Sequence, residues 1–263
     1  MTNWKEMPAW QHLQKYRPLL YELVVRDLKV KYRRSFLGYL WSLLNPLLMM
    51  AVMSFVFSYI FRYDIENYPL YLICGQTLWS FFNESTNMAM YSVLQNGSLI
   101  KKVYIPKFIF PMSRVFSSFV TMSFSLGAIL IVMLVTRAPL HWQLLLFPLP
   151  LVLLLVFSMG VSMVLSSLSV YFRDVTHLYG VVTLAWMYVT PVFYPVSALP
   201  DEVAWVLKLN PMYYYLDNFR QLVLYGSLPT AKSWCICLLC SGVALAVGLT
   251  VFRKLQRNFI LYL

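Results

Sequence analysis

Long apolar segments separated by short polar ones fill most of this 263-residue sequence. A helix that crosses a membrane needs about 20 mostly apolar residues. Six segments meet that requirement, at residues 36–61, 69–92, 108–136, 144–171, 177–195 and 233–252. The pattern therefore predicts an all-α membrane protein, with a cytoplasmic interface segment at 1–35 and a six-helix transmembrane domain at 36–263.

The segment before the first span predicts an amphipathic helix over residues 19–34. An apolar face and a basic stripe divide it, formed by Leu20, Leu23, Val24, Leu28 and Tyr32 against Arg26, Lys29 and Arg33. This pattern is typical of a helix that lies in the lipid headgroup layer. A basic membrane anchor with no further role is the alternative.

The connection between the fifth and sixth spans, residues 195–232, is too long for a turn and too apolar for a solvated loop. It predicts two short helices, at about 196–225, broken at Asn210-Pro211. Irregular backbone inside a bilayer must be buried in protein or face a water-filled path. We therefore interpret this connection as a re-entrant external gate.

The charged residues set the orientation. Only 12% of residues are charged, 60% are hydrophobic and the net charge is +11. Segments 1–35, 93–114, 172–176 and 253–263 carry 8, 4, 1 and 3 Lys or Arg, which is 16 of the 21; the other side has 5. Because cytoplasmic loops collect Lys and Arg, both termini are expected in the cytoplasm. The basic residues flank membrane segments, so nucleic acid is not an expected partner.

Motifs for catalysis or nucleotide binding are missing from the sequence. It contains no G-x-x-x-x-G-K-[ST] phosphate loop, no H-E-x-x-H and no G-x-S-x-G. The three histidines lie in different segments, and the four cysteines lie in apolar ones, where small hydrophobic roles are expected. We expect no catalytic residues, no metal and no cofactor on this chain. A membrane-embedded glycosyl- or acyltransferase stays open as an alternative but needs a clustered His or carboxylate pair.

Glu84 is an ionisable group within the second apolar segment, and such groups are costly in membranes. It is expected either to contact a basic residue at the cytoplasmic end of the first span, such as Arg34, or to be held by neighbouring Ser and Asn. Two aromatic stripes also stand out, with helical spacing in the first and fifth spans: Phe55, Tyr59 and Arg62, then Trp186, Thr190 and Phe193, followed by Tyr194. They predict either helix packing or a conduit that binds sugar rings.

Four strings together resemble the membrane subunit of bacterial ABC exporters for lipid-linked polysaccharides, the O-antigen and teichoic-acid permeases of type-2 ABC exporter fold. They are RDLKVKY at 26–32 with SFLGYLW at 35–41 and NP at 45–46; NGSLIKKVYIP at 96–106; FRDV at 172–175 with TPVFYP at 190–195; and LNPM at 209–212 with Arg220. Their order and spacing cover about residues 20–225.

The resemblance implies a homodimer of this chain in the inner (cytoplasmic) membrane, with two copies of a separate ATPase that binds ATP and Mg. The cargo it implies is a polyprenyl-diphosphate-linked polysaccharide, of O-antigen or teichoic-acid type. An exporter of drugs or other small molecules is the alternative within the same superfamily. The sequence does not choose between hosts with one membrane and hosts with two.

The resemblance also implies roles for individual residues. Segment 94–106 would hold the helix that couples to the ATPase, through Asn96, Leu99, Ile100, Lys101, Lys102 and Tyr104. The lipid diphosphate would enter at Arg26, Lys31, Arg33 and Arg34. The gate would include Asn210, Pro211, Tyr214 and Arg220. The first and fifth spans would line the conduit with Phe55, Tyr59, Trp186, Phe193 and Tyr194.

Overall fold

Every regular element in the described residues is a helix, which confirms the all-α prediction. The computed structural model describes residues 9–33, 35–57, 65, 67–103, 105–198 and 200–263. In chain order the helices are α1 Ala9–Lys31, α2 Trp41–Val56, α3 Tyr68–Gln95, α4 Gly97–Lys102, α5 Ile109–Val135, α6 Pro148–Tyr171, α7 Val175–Val189, α8 Asp201–Leu209, α9 Pro211–Val223, α10 Ala231–Leu255 and α11 Phe259–Tyr262. Short 3₁₀ turns join several of them.

Four helical stretches of the described chain are long and apolar enough to cross a membrane. They are Gly38–Val56, Ile109–Val135, Trp142–Tyr171 and Ala231–Tyr262. The two other predicted spans also form helices, α3 and α7. Helix α7 is apolar but has only 15 residues, and α3 carries more polar side chains than the four long apolar stretches. The fold is therefore that of a multi-pass membrane protein.

Helix α3 packs against α5 and α6 and is largely buried within the bundle. Its apolar residues Leu70, Leu78 and Phe82 have no exposed surface. A helix surrounded by protein can hold polar side chains that a lipid-facing helix cannot, because neighbouring helices supply hydrogen-bond partners. This explains why α3, the most polar of the predicted spans, lies inside.

Helices α6 and α10 cross at two glycines. A Cβ atom built on Gly160 collides with the Ala244 carbonyl, and one built on Gly248 collides with the Gly160 carbonyl. Small residues allow the backbones of membrane helices to approach closely, so that packing holds the helices together. These glycines therefore determine how closely α10 lies against α6.

Helix α1 begins ten residues before the predicted start and runs through Pro18, a residue that disfavours helix interiors. The predicted division of its faces is present: Leu23 is buried, whereas Arg26, Lys29 and Arg33 at its end are exposed. Leu23 belongs to an apolar cluster with Ile100, Phe252 and Phe259. This cluster joins α1, α4, α10 and α11 at one end of the bundle.

The connection after α7 contains two short helices, α8 and α9, broken at Asn210-Pro211 as predicted. Pro211 occupies the first position of α9, where its missing N–H costs nothing. The Asn210 side chain caps α9 by accepting a hydrogen bond from the Met212 N–H, at 3.0 Å. The break is thus built into the local sequence.

Candidate functional site

A cavity of about 250 Å³ lies between the end of α1 and helices α2, α3 and α5. Most of the residues that line it are polar, and they include Ser42, Asn45, Gln76, Thr77, Ser118 and Ser125. Side chains three or four residues apart share one face of a helix. Gln76, Ser80 and Glu84 therefore form one polar stripe on α3, which faces the stripe of Ser118, Thr121 and Ser125 on α5. Facing polar stripes produce the cavity.

An ion pair closes one side of the cavity. Nζ of Lys31 lies 2.7 Å from Oε1 of Glu84, and one third of each side chain is exposed. The Ser118 hydroxyl donates to the same carboxylate oxygen at 3.4 Å. The partner of Glu84 is thus a basic residue at the end of α1, whereas the sequence pointed to Arg34, which lies outside the described residues.

A second carboxylate, Asp27, anchors α1 to α5. Only 3% of its side chain is exposed, and its Oδ1 lies 3.1 Å from Nη1 of Arg114 and 3.2 Å from Nη2 of Arg26. The Ser117 hydroxyl donates to Oδ2 at 3.4 Å. Two cations around one buried carboxylate leave this corner positively charged, and removal of the carboxylate would leave Arg114 without its ionic partner.

The predicted lipid entrance divides into two environments. All three described members are exposed; Arg26 and Lys31 pair with carboxylates of the chain itself, whereas Arg33 has no ion pair among the described residues. A shallow depression of about 430 Å³ runs along the same face of α1, lined by Glu22, Val25, Arg26, Lys29, Val30 and Arg33. The basic stripe therefore remains accessible on the surface of α1.

The predicted coupling segment forms the six-residue helix α4. Its Ile100 is buried in the chain's own cluster and Gly97 lies against Leu263, so these two residues fix the position of the helix. Leu99 is partly buried in the same cluster. Lys101 and Lys102 are exposed. Tyr104 lies outside the described residues.

Contacts on both sides of α4 hold it in place. The Asn96 amide donates to the Ser92 carbonyl at 2.7 Å. Beyond α4, Nζ of Lys107 donates to the Gln256 carbonyl at 2.7 Å and lies 5.5 Å from the ring centroid of Phe259. Burial lowers the pKa of Lys107. The segment 96–107 is therefore attached to the region around α11.

Arg220, predicted as a gate residue, is buried and binds backbone where α7 has ended. Its guanidinium donates to the carbonyls of Tyr71 at 3.2 Å, Pro191 at 2.7 Å and Val192 at 3.0 Å. It also lies 3.5 Å from the centroid of the Tyr71 ring, which is a cation–π contact. A Cβ on Gly75 would collide with Nη2, so the glycine makes room for the guanidinium.

Asn210 connects the break between α8 and α9 to the end of α7. Its Oδ1 accepts from Nε1 of Trp186 at 2.8 Å, and its Nδ2 donates to the Thr190 hydroxyl at 2.8 Å. Tyr214 donates to the Lys208 carbonyl at 3.0 Å and so links α9 to α8. Asn210 therefore joins the break between α8 and α9 to Trp186 and Thr190.

The predicted aromatic stripe of the fifth span is not continuous. Helix α7 ends at Val189, because a residue before proline disfavours helical backbone and Thr190 precedes Pro191. The expectation of continuous helical spacing from Trp186 to Phe193 is therefore wrong. Trp186 instead packs edge-on against Trp79 and Phe82 inside the bundle.

Other predicted conduit residues differ in their surroundings. Phe55 is 66% exposed on α2. Phe193 stacks on Phe57 with ring centroids 6.0 Å apart. Tyr194 donates to the Tyr188 carbonyl at 2.7 Å. Tyr59 falls outside the described residues.

Sequence reasoning missed the cavity and the Asp27 anchor. The signal was present in the sequence, since Gln76, Ser80 and Glu84 are four residues apart within an apolar segment. Such spacing marks a polar helix face that needs partners from other helices. The partners on α2 and α5 are serines, threonines and an asparagine, which are too common in membrane helices to stand out singly.

Comparison with known proteins covers nearly the whole chain. A family model for ABC-2 type transporters matches residues 5–224. The chain is similar to the O-antigen export system permease protein RfbA of Myxococcus xanthus, with 31% identity over 95% of this chain and 96% of that protein. RfbA of Klebsiella pneumoniae is 31% identical over 92% and 93% of the two chains. The capsule polysaccharide export inner-membrane protein CtrC of Neisseria meningitidis serogroup A is 22% identical over 90% of each. The chain is therefore a member of the ABC-2 type transporter family.

Proposed function

We propose that the chain is the permease subunit of an ATP-driven exporter that moves a polysaccharide, carried on a polyprenyl diphosphate, out of the cytoplasm. The observation that carries this proposal is the similarity to O-antigen export permeases over 92–95% of the chain. The chain itself has no phosphate loop. Permeases of this family work with a separate ATPase subunit, which supplies ATP hydrolysis and binds ATP and Mg.

We propose six membrane crossings for this chain, with both termini in the cytoplasm. The four long apolar stretches supply four of them. Helix α3 supplies another, since its 28 residues span about 42 Å at 1.5 Å per residue. Helix α7 spans about 22 Å, and the non-helical turn at residues 190–195 follows it. The distribution of 16 basic residues to 5 supports this orientation.

In this arrangement α8 and α9 form the re-entrant gate on the outer side. Their contacts support the assignment, because Arg220 and Asn210 tie them to the broken end of α7. Helix α4 lies on the cytoplasmic side and presents Lys101 and Lys102 to the ATPase. Ile100 contributes by holding α4 against the chain's own cluster rather than by meeting the partner.

The complete exporter is proposed to contain two copies of this chain and two of the ATPase. Closure of the ATPase subunits on ATP would move α4 in each copy, and the two copies would separate along a central path. The exposed basic stripe of α1 supports entry of the lipid diphosphate there. The glycan would follow the first and fifth spans, past Phe55 and the aromatic residues near the end of α7.

A deletion experiment tests this function. In a strain that lacks the chain, undecaprenyl-linked glycan is expected to accumulate on the cytoplasmic side, and the surface polysaccharide is expected to disappear. Complementation with the wild-type chain should restore export. Normal surface polysaccharide in the deletion strain would contradict the proposal.

A further inference from the structure

Two side chains in the cavity wall between α1, α2, α3 and α5 contain oxygens without a hydrogen-bond donor among the described residues. They are Oε1 of Gln76 and Oγ1 of Thr77. Buried polar atoms in native proteins are nearly always paired, so each exception needs an explanation. Both residues line the cavity. A ligand with hydrogen-bond donors would therefore supply what the wall lacks.

The charge of the wall distinguishes between classes of ligand. Lys31 and Glu84 are the charged residues of the described wall, and they neutralise each other at 2.7 Å. An anion such as phosphate would be repelled by the Glu84 carboxylate, and most of its oxygens only accept hydrogen bonds. The amide oxygen of Gln76 requires a donor. The wall therefore favours a neutral ligand with several hydroxyl groups.

Aromatic surface and size narrow the ligand further. Trp41 lies in the wall and is 43% exposed, so that an apolar ring face is accessible beside the polar groups. The cavity volume of about 250 Å³ has room for a sugar ring. We propose that this cavity binds a single sugar ring, through the hydroxyls and amides of α2, α3 and α5 and the face of Trp41.

This proposal rests on the proposed export of a polysaccharide and adds to it a sugar-binding site within one copy of the chain. The site is separate from the aromatic residues near the end of α7. Binding of one ring at a time would give the exporter a low-affinity contact that every sugar unit of the proper type can use. The wall's mixture of donors and acceptors would select among sugar types.

The test measures binding of methyl glycosides to the full chain in lipid nanodiscs by saturation-transfer NMR. The probes are the methyl glycosides of glucose, galactose, mannose, rhamnose and N-acetylglucosamine, with inorganic phosphate as the anionic comparison. Ser80→Phe fills the cavity from an exposed position in its wall. Ser123→Phe makes the same change at an exposed serine outside the wall and is the matched control.

At least one glycoside is expected to give a saturable signal with the wild-type chain. Ser80→Phe should weaken its binding by about tenfold or more, and Ser123→Phe should leave it unchanged. Thr77→Val, which removes the unpaired hydroxyl and keeps the shape, should weaken binding, whereas Thr250→Val on α10 should not. The Thr77→Val result decides the case if Ser80→Phe does not fold.

Three outcomes overturn the site: no signal with any glycoside, equal binding by Ser80→Phe and Ser123→Phe, or phosphate binding that Ser80→Phe alone abolishes. The proposed function fails separately. If the deletion strain traps lipid-linked glycan but the chain binds no glycoside, the sugar site is wrong and the permease function stands. If the deletion strain exports normally, the permease function is wrong whatever the chain binds.

Discussion

Nη1 of Arg220 on α9 lies 2.7 Å from the carbonyl oxygen of Pro191, just beyond the end of α7. Proline stops α7, and the carbonyls of the turn that follows it have no helical N–H partners. The planar guanidinium, with donors on three nitrogens, satisfies two of these carbonyls and that of Tyr71 together. One side chain therefore joins α3, the end of α7 and α9.

Replacement of this arginine should destabilise the bundle strongly. Arg220→Met removes a buried charged donor from three carbonyls, and loss of such hydrogen bonds costs about 1.5–3 kcal/mol each. We expect a large drop in the midpoint of thermal unfolding of the detergent-solubilised chain. Arg173→Met, at an exposed arginine, is the control and should unfold at the wild-type temperature. Equal midpoints for the two variants would show that Arg220 has no structural role.

The glycine contact between α6 and α10 gives a second prediction. Gly248→Ala places a Cβ against the Gly160 carbonyl, so α10 must move away from α6. Overpacking of this kind costs about 1–3 kcal/mol. Gly242→Ala, on the same helix, meets nothing within 4 Å and should be neutral or slightly stabilising. Thermal unfolding of both variants checks the difference, and a destabilised Gly242→Ala would refute the explanation.

The pair Lys31–Glu84 should show energetic coupling. Because each side chain is one third exposed, the expected coupling energy is only about 0.2–1 kcal/mol. A double-mutant cycle with Lys31→Met and Glu84→Gln measures it as the departure from additivity of the unfolding free energies. High salt should reduce it. Additive effects within error would mean that the pair contributes nothing to the attachment of α1.

The charge of α4 should matter for coupling to ATP hydrolysis. Lys101→Glu with Lys102→Glu reverses two exposed cations, and we expect export to fall while the chain still folds and inserts. The measurement is polysaccharide export together with ATPase activity of the purified complex. Arg253→Glu with Lys254→Glu reverses two exposed charges on α10 and serves as the control. Wild-type export in the α4 variant would rule out the coupling role.

Substitutions of Trp186 separate its packing from its hydrogen bond. Trp186→Phe removes one neutral hydrogen bond to Asn210, worth about 0.5–1.5 kcal/mol. Trp186→Ala also removes the contacts with Trp79 and Phe82 and should cost about 3–5 kcal/mol. Trp205→Ala changes an exposed tryptophan and should have little effect. A Trp186→Ala chain as stable as Trp205→Ala would contradict this packing role.

The sequence predicted the helical class and the break at Asn210-Pro211 because both depend on local signals. Apolar runs of sufficient length and a proline after a capping asparagine are visible without knowledge of neighbours. The end of α7 at Val189 also depends on a local signal, which is Pro191. The sequence prediction nevertheless extended the span to residue 195, because the apolar run continues that far. At this position the proline predicted the end of the helix better than hydropathy did.

Contacts between distant segments could not be predicted from the sequence. The partner of Glu84 is 53 residues away, and Asp27 meets Ser117 across 90 residues. Ile100 was also misjudged because distant contacts are not visible in the sequence. Its apolar character predicted contact with a partner, yet residues more than 150 positions later cover it. The packing of α11 helps to determine which side of α4 is left exposed.

That packing has a consequence for biosynthesis. Helix α4 leaves the ribosome early, but Phe259 and Leu263, against which Ile100 and Gly97 lie, are made more than 150 residues later. Until they arrive, α4 lacks part of the surface that holds it. A nascent or truncated chain therefore inserts in the membrane before it can present a properly placed α4, and ATPase subunits should assemble only on finished chains.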